Sequence, residues 1–289
     1  MNVTGRIDEA LGAALAQAVA PGCPPKLAEA VRYAVFPGGA RIRPRLCLAV
    51  ANACGEDAPG LTDAAAAAIE LLHCASLVHD DLPCFDNAPL RRGKSSVHAA
   101  YGERIAVLTG DALIVLAFET LARGGAALPH RLVPLLLTVG RAVGIPAGLS
   151  AGQAWECEPR VILSDYHRAK TAALFVAACV AGAQSAGAES APWQVLGERL
   201  GEAYQVADDL RDALCDPDEL GKPAKRDAAL GRPNAAQELG VAGAVKRLRH
   251  LVEEAIACIP SCRGEAELKA LIASESVRIL PTDLAKRAA

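Results

Sequence analysis

The chain has 289 residues and a formal net charge of −3. That length serves one large domain or two smaller ones, and a near-balanced charge with no basic tail excludes a nucleic-acid-binding field. The composition is 52% hydrophobic and only 3% aromatic, rich in Ala and Leu, which predicts a helical protein with a substantial core.

The first twenty residues carry Arg6, Asp8 and Glu9 in a helical pattern, without the layout of an export signal. Helices are predicted at 6–19, 24–35 and 44–54, punctuated by Pro21-Gly22 and Pro37-Gly38-Gly39. The next, TDAAAAAIELLHCASLVHD at 62–80, has Thr62 or Asp63 as a cap candidate, with Ile69, Leu72, Leu77 and Val78 at apolar spacing. Further helices are predicted at 103–122, 131–140, 165–182, 192–214, 234–239, 242–258 and 264–277. No strand-like alternation exceeds a few residues, no fixed-period repeat is present and no long linker divides the chain, so residues 1–289 are expected to form a single all-α domain. No membrane span is expected: the apolar run 172–183 is too short, and Arg141 with Pro146 breaks the one before it. The ten cysteines form no CxxC pair or framework and read as reduced small hydrophobes, which predicts a cytoplasmic protein. Cys258 and Cys262, one helical turn apart, fit core packing better than a metal pair.

Two acidic clusters carry the functional signal. HDDLPCFDNAPLRRG at 79–93 places Asp80, Asp81 and Asp86 just after the apolar 62–80 helix, with Arg91 and Arg92 behind them. YQVADDLRD at 204–212 puts Asp208 and Asp212 on one helix face, with Asp209 beside them. A charge run alone is usually a solvated face. Here both clusters end segments that look buried, where carboxylates need a partner. Oxygen-only ligands favour a hard cation, Mg²⁺ above Zn²⁺. Two acidic walls facing one cavity would clamp a diphosphate through shared Mg²⁺. Basic groups stand beside them: Arg41, Arg43 and Arg45 after the Gly-Gly pair, Lys170 before Thr171, and Lys222 after the second cluster. Guanidinium forks suit phosphate oxygens. His73, seven residues before Asp80, shares its helix face, whereas His79 is read as structural.

The stretches FPGGARIRP (36–44), ELLHCASLVHDDLPCFDNAPLRRGKSSVH (70–98), LTGDALIVLAF (108–118), GQAWE (152–156), HRAKTAALF (167–175), YQVADDLRD (204–212) and LGKPAKRD (220–227) together resemble the trans-isoprenyl diphosphate synthases, most closely the bacterial geranylgeranyl type. The resemblance implies an all-α bundle around a deep central cavity, usually homodimeric. It implies that Asp80, Asp81 and Asp86 bind two Mg²⁺ on an allylic diphosphate, and that Asp208 binds a third, with Asp209 and Asp212 holding its waters; Mn²⁺ is an alternative ion. Arg91, Lys170 and Lys222 would contact the allylic diphosphate, with Thr171 and Gln205 nearby; Arg43, His73 and Arg92 would hold isopentenyl diphosphate. Ala75 and Ser76 stand where the family floors its cavity, and their small size implies a product longer than farnesyl.

Four departures accompany the resemblance. Ala40 replaces the usual Lys, an isopentenyl diphosphate ligand, with Arg45 as an extra base nearby; Asn87 replaces a common Asp; Glu156 stands where Asp is usual, and GRPNAA (231–236) is also atypical. The rival readings are a farnesyl diphosphate synthase and a non-catalytic partner subunit, the latter favoured by Ala40. A class I terpene cyclase is a further rival, disfavoured by the paired Arg91-Arg92 and by the scarcity of aromatic rings to line a cyclising cavity.

Overall fold

A computed structural model describes residues 3–160, 163–214 and 234–279. The chain runs α1 (Val3–Ala18), α2 (Pro25–Val35), α3 (Ile42–Ala53) and α4 (Pro59–Asp80), then a hairpin, β1 (Leu90–Arg91) and β2 (Lys94–Ser95). It continues through α5 (Val97–Tyr101), α6 (Glu103–Gly125), α7 (Pro129–Val143), α8 (Leu149–Trp155) and α9 (Leu163–His167). A π-helical turn (Arg168–Ala172) leads into α10 (Ala173–Ser185), followed by α11 (Trp193–Leu214), α12 (Ala235–Ala257) and α13 (Glu265–Ile279). Among the described residues, the fold is all-α apart from that hairpin.

Prolines set several starts. Pro25, Pro59 and Pro129 occupy first-turn positions, where the missing N–H leaves no bond unmade. The centre is α4. Its alanine run and its Leu61, Ile69, Leu71 and Leu72 are buried on every side, as expected of a helix that lies inside a bundle. Small residues let neighbours approach closely, and α4 packs most extensively on α6. α3 and α10 complete the main core, while Val206 and Leu210 of α11 form a smaller one with Leu248 and Leu251 of α12.

Three local features depart from the predicted elements. The segment predicted as one helix over 165–182 is broken by the π turn, which rotates Lys170 and Thr171 out of the α-helical register. The hairpin escaped the pattern because each strand is two residues long; its turn puts Arg92 (φ 54°) and Gly93 (φ 75°) in the left-handed region. The short α5 and α8 lie below the length at which periodicity is readable. The predicted break near 240 is present as a kink at Gly240 (φ 68°) within α12.

Among the described residues two helices, α4 and α6, are long and apolar enough to cross a membrane, with 78% and 39% of their apolar windows buried in the bundle. The nine described cysteines are all free, and burial pushes the Cys47 and Cys74 thiols up to about 12, which keeps them as unreactive packing groups.

Candidate active site

The first acidic cluster is shaped by the end of α4. Asp80 is its last residue and Asp81 its C-cap. The chain then folds back: Asp86 N–H donates to the Asp80 carbonyl at 2.9 Å and Ala88 N–H to the Asp81 carbonyl at 3.1 Å. This return brings the Asp86 carboxylate within electrostatic reach of the other two. Asp80 accepts from Gln153 Nε2 at 3.0 Å and has the Lys170 ammonium at 3.8 Å. Asp81 is gripped by Arg91, whose Nε donates to both carboxylate oxygens at 3.0 and 3.2 Å and whose Nη2 donates to one of them as well. Burial raises both the Asp80 and Asp81 carboxyls above the usual range, and neighbouring carboxylates add to it; Lys170 and Arg91 oppose.

The donor set fits a hard cation. The acidic donors are carboxylate oxygens crowded together, with Asp80 and Asp81 buried and their charge only partly offset by bases. No three described His, Cys, Asp or Glu residues converge into a ready-made cage. That suits Mg²⁺, which keeps several waters and binds through one or two carboxylates together with substrate phosphates.

The basic side of the site begins at the Gly-Gly pair. A Cβ on Gly38 would lie 2.1 Å from the Arg41 guanidinium carbon, and one on Gly39 would lie 2.9 Å from Arg92 Nε. Each glycine therefore makes room for an arginine, and the two arginines have different fates. Arg41 is buried and donates to Glu70 at 2.7 Å and to the Val35 carbonyl at 2.8 Å, so it braces α2 against α4. Arg92 is exposed on the hairpin, with its guanidinium over Gly39. Arg43 is buried, 4.7 Å over the Phe175 ring, and its Nε has no hydrogen-bond partner among the described residues. A buried guanidinium N–H left without a protein partner suits an anionic oxygen. Its Nη1 lies 3.4 Å from His73 Nε2. Burial, then Arg43 and Arg92, push the His73 ring well below its ordinary value, so the ring is neutral. Arg45 turns away and pairs with Glu275 of α13 at 2.7 Å, so it does not stand in for the cation missing at Ala40.

The opposite wall is α11 with the π turn. A Cβ on Gly152 would sit 2.6 Å from the Lys170 backbone, and one on Gly201 would sit 2.5 Å from Ala172 Cα, so the turn is clamped between α8 and α11. A polar chain crosses the wall: Thr171 Oγ1 donates to Gln205 Oε1 at 2.6 Å, Gln205 Nε2 donates to Asp209 at 2.9 Å, and Asp209 Oδ2 accepts from Ala235 N–H at 2.8 Å. Asp209 is thus buried at the start of α12, where Asn234 also caps Ala236 N–H at 2.8 Å. Asp208 is half exposed, accepts from Arg211 at 3.0 Å, and is felt electrostatically by Arg43 across the cleft. Asp212 lies one turn further along α11, half-buried. Lys222 lies outside the described residues.

Of the two residues placed at the cavity floor, Ser76 is half-buried on the His73–Asp80 face of α4, and Gln153 Nε2 donates to its carbonyl at 3.2 Å. Ala75 is only 1% exposed, packed in the main core. Sequence reasoning gave no role to Gln153, Glu156 or Tyr166. Yet Glu156 Oε1 accepts from both Lys170 Nζ and Tyr166 Oη. The four-residue spacing of Tyr166 and Lys170 was a readable signal.

The family model for polyprenyl synthetase matches residues 24–272. A geranylgeranyl diphosphate synthase of Cereibacter sphaeroides is 57% identical over 282 residues, covering 98% of both chains. One from Rhodobacter capsulatus is 53% identical, covering 94% of both. Among solved structures, a geranyltransferase from Helicobacter pylori, complexed with magnesium and isoprenyl diphosphate, superposes with a TM-score of 0.81 at 30% identity, covering 96% of each chain.

Proposed function

This chain belongs to the polyprenyl synthetase family, and on that premise we propose that it condenses isopentenyl diphosphate with an allylic diphosphate to give geranylgeranyl diphosphate. The observation that carries the reading is the division of the site: a crowded, desolvated carboxylate cluster beside Lys170 and Arg91, and a separate arginine, Arg43, with an unsatisfied buried N–H. One diphosphate with its metal fits the first arrangement. A second diphosphate fits Arg43, Arg92 and the neutral His73.

Asp80, Asp81 and Asp86 on one wall, and Asp208 with Asp212 on the other, would hold Mg²⁺, three ions in all. When bound, Mg²⁺ supplies Lewis-acid stabilisation of the departing diphosphate oxygens. Lys170 and Arg91 add fixed positive charge to the same oxygens, which lowers the cost of breaking the allylic C–O bond. Arg43 and Arg92 orient isopentenyl diphosphate so that its double bond faces the developing cation. A proton is then lost to the released diphosphate. The apolar surroundings of α4 and α10 keep water from quenching the cation.

A second copy of the chain fits the outer face of α6 and α7. Leu108, Val115, Val133 and Leu137 are exposed there, with Val115 at 59%. An apolar stripe along two adjacent helices is characteristic of an interface between subunits. Val115→Glu is expected to shift the protein toward monomer in light scattering; an unchanged mass would remove this face from consideration.

The reading is tested by incubating the protein with Mg²⁺, isopentenyl diphosphate and, separately, the dimethylallyl, geranyl and farnesyl primers, then sizing the hydrolysed products. A C20 alcohol from more than one primer is expected. Ala40 is the observation favouring a non-catalytic partner subunit, and folded protein that condenses no primer would establish that alternative instead.

A further inference from the structure

Lys170 lies between two carboxylates. Asp80 is 3.8 Å from its ammonium, and Glu156 Oε1 accepts a hydrogen bond from it. If Asp80 is turned to metal when substrate binds, Glu156 becomes the group that fixes where the ammonium points. A glutamate has three rotatable bonds, so something must in turn fix Glu156. Tyr166 does so: its hydroxyl donates to the same Oε1 at 2.6 Å, and its ring is 9% exposed, held one turn before Lys170 with its centroid 5.7 Å from Nζ. An O–H to carboxylate bond of this length is of the strong, charge-assisted kind.

The chemistry of sharing one oxygen matters. With two donors on Oε1, the carboxylate holds the lysine in place while surrendering part of its charge to the phenol, so more of the ammonium field remains for a diphosphate. The reach also matters. Glu156 stands on the α8 end and Tyr166 on α9, and the side chain must span from one to the other. An aspartate at this position would be one methylene shorter and would draw the carboxylate back from the hydroxyl, so Tyr166 and the longer Glu156 form one device.

We infer that Tyr166 is a positioning residue which, through Glu156, fixes the ammonium of Lys170 for the allylic diphosphate. The inference rests on the prenyltransferase reading above. Its test is a double-substitution cycle of Tyr166→Phe, Glu156→Asp and the pair, with kcat and both KM values measured, together with affinity for an unreactive thiolodiphosphate analogue of the allylic substrate and the thermal midpoint. Tyr166→Phe alone is expected to lower kcat about tenfold, since a small misplacement of a positioned group is costly. The KM for isopentenyl diphosphate and the analogue affinity are expected to stay within about threefold, because the loss lies in the transition state rather than in ground-state binding. In the Glu156→Asp background the same change is expected to cost less than about twofold, because coupled residues are non-additive. An equal cost in both backgrounds, or a loss confined to the thermal midpoint, overturns the inference while leaving the reaction intact. A wild-type protein without condensation activity overturns both.

Discussion

The two acidic clusters look alike in sequence and are employed differently in the fold. The first straddles a helix end. Asp80, Asp81 and Asp86 sit where α4 gives way to a tight return, and each described partner, Gln153, Lys170 and Arg91, comes from a different part of the chain. The second lies within α11, and its members split. Asp209 is buried under the first turn of α12 and caps it, whereas Asp208 is half exposed and faces the cleft. A run of carboxylates therefore does not carry equal roles at each position. What decides is whether the helix continues, because a continuing helix points neighbours about 100° apart and sends one of them into a packed junction.

The largest effect tests that split through catalysis. Asp80→Asn and Asp81→Asn are each expected to lower kcat/KM by about a thousandfold or more, the scale of several kcal/mol of lost charge stabilisation. Their thermal midpoints should hold or rise. Burial has raised both carboxyls, and a raised carboxyl contributes stability below its unfolded value that is lost as pH rises through its folded value; at neutral pH the ionised form is a burden that the amide removes. Asp208→Asn should likewise damage catalysis without damaging stability. A fall in the midpoint for Asp80→Asn would show that its pairing with Lys170 outweighs desolvation.

The next effect concerns the helix that leads into the first cluster. Ala75→Phe must force a ring into a filled core, at a cost of about 1–3 kcal/mol. Ser76→Phe enters half-open space on the same face as His73 and Asp80, so it should be better tolerated. Both are expected to shorten the main product, with Ser76→Phe doing so at the smaller loss of thermal midpoint. Unchanged product length from Ser76→Phe would place the cavity floor elsewhere.

Asp209→Ala follows in size. It removes the acceptor for the Ala235 N–H and the partner of Gln205, and the loss of such a cap costs about 1 kcal/mol. The expected signature is the inverse of the first cluster: a lower midpoint, with kcat falling far less than for Asp208→Asn. A catalytic loss as deep as that of Asp208→Asn at unchanged stability would return Asp209 to the metal side.

This contrast also marks where sequence was readable. The long helices followed from periodicity and punctuation, and the break at Gly240 from its neighbours. The residues of the first cluster were legible because they are contiguous and end an apolar helix. The π turn was not, since a single extra residue per turn leaves the apolar pattern intact over so short a span. The separate fates of Arg41, Arg43 and Arg45 were hidden as well. Three bases at alternate positions look equivalent, yet Arg41 is used by Glu70, Arg45 by Glu275, and of the three only Arg43 keeps a buried N–H with no hydrogen-bond partner among the described residues. Those outcomes depend on acids at remote positions, which local spacing does not report.

The smallest effect comes from His73, on the same face of α4 as Asp80, where burial and the arginines hold the ring well below its ordinary value. The same helix thus pushes its carboxyls up and its imidazole down, both toward neutrality, as a site does when its charge is to be supplied by ligand and metal. The sign is opposite for stability. A depressed imidazole means that the unfolded chain binds the proton first, so stability is complete above the unfolded value near pH 6.5 and is lost as pH falls toward the folded one. His73→Gln removes that titration. Between pH 7.5 and 5.5, without ligand, the wild type should lose about 2 °C more than the variant in thermal midpoint, a modest share for one residue in a chain of this size. Equal losses would mean that the folded ring takes up its proton over the same range as in the unfolded chain, and a smaller loss in the wild type would mean that the fold holds the proton more tightly. In that second case His73 would be a second cation beside Arg43, and the neutral α4 face would be replaced by one charged in advance for the second diphosphate.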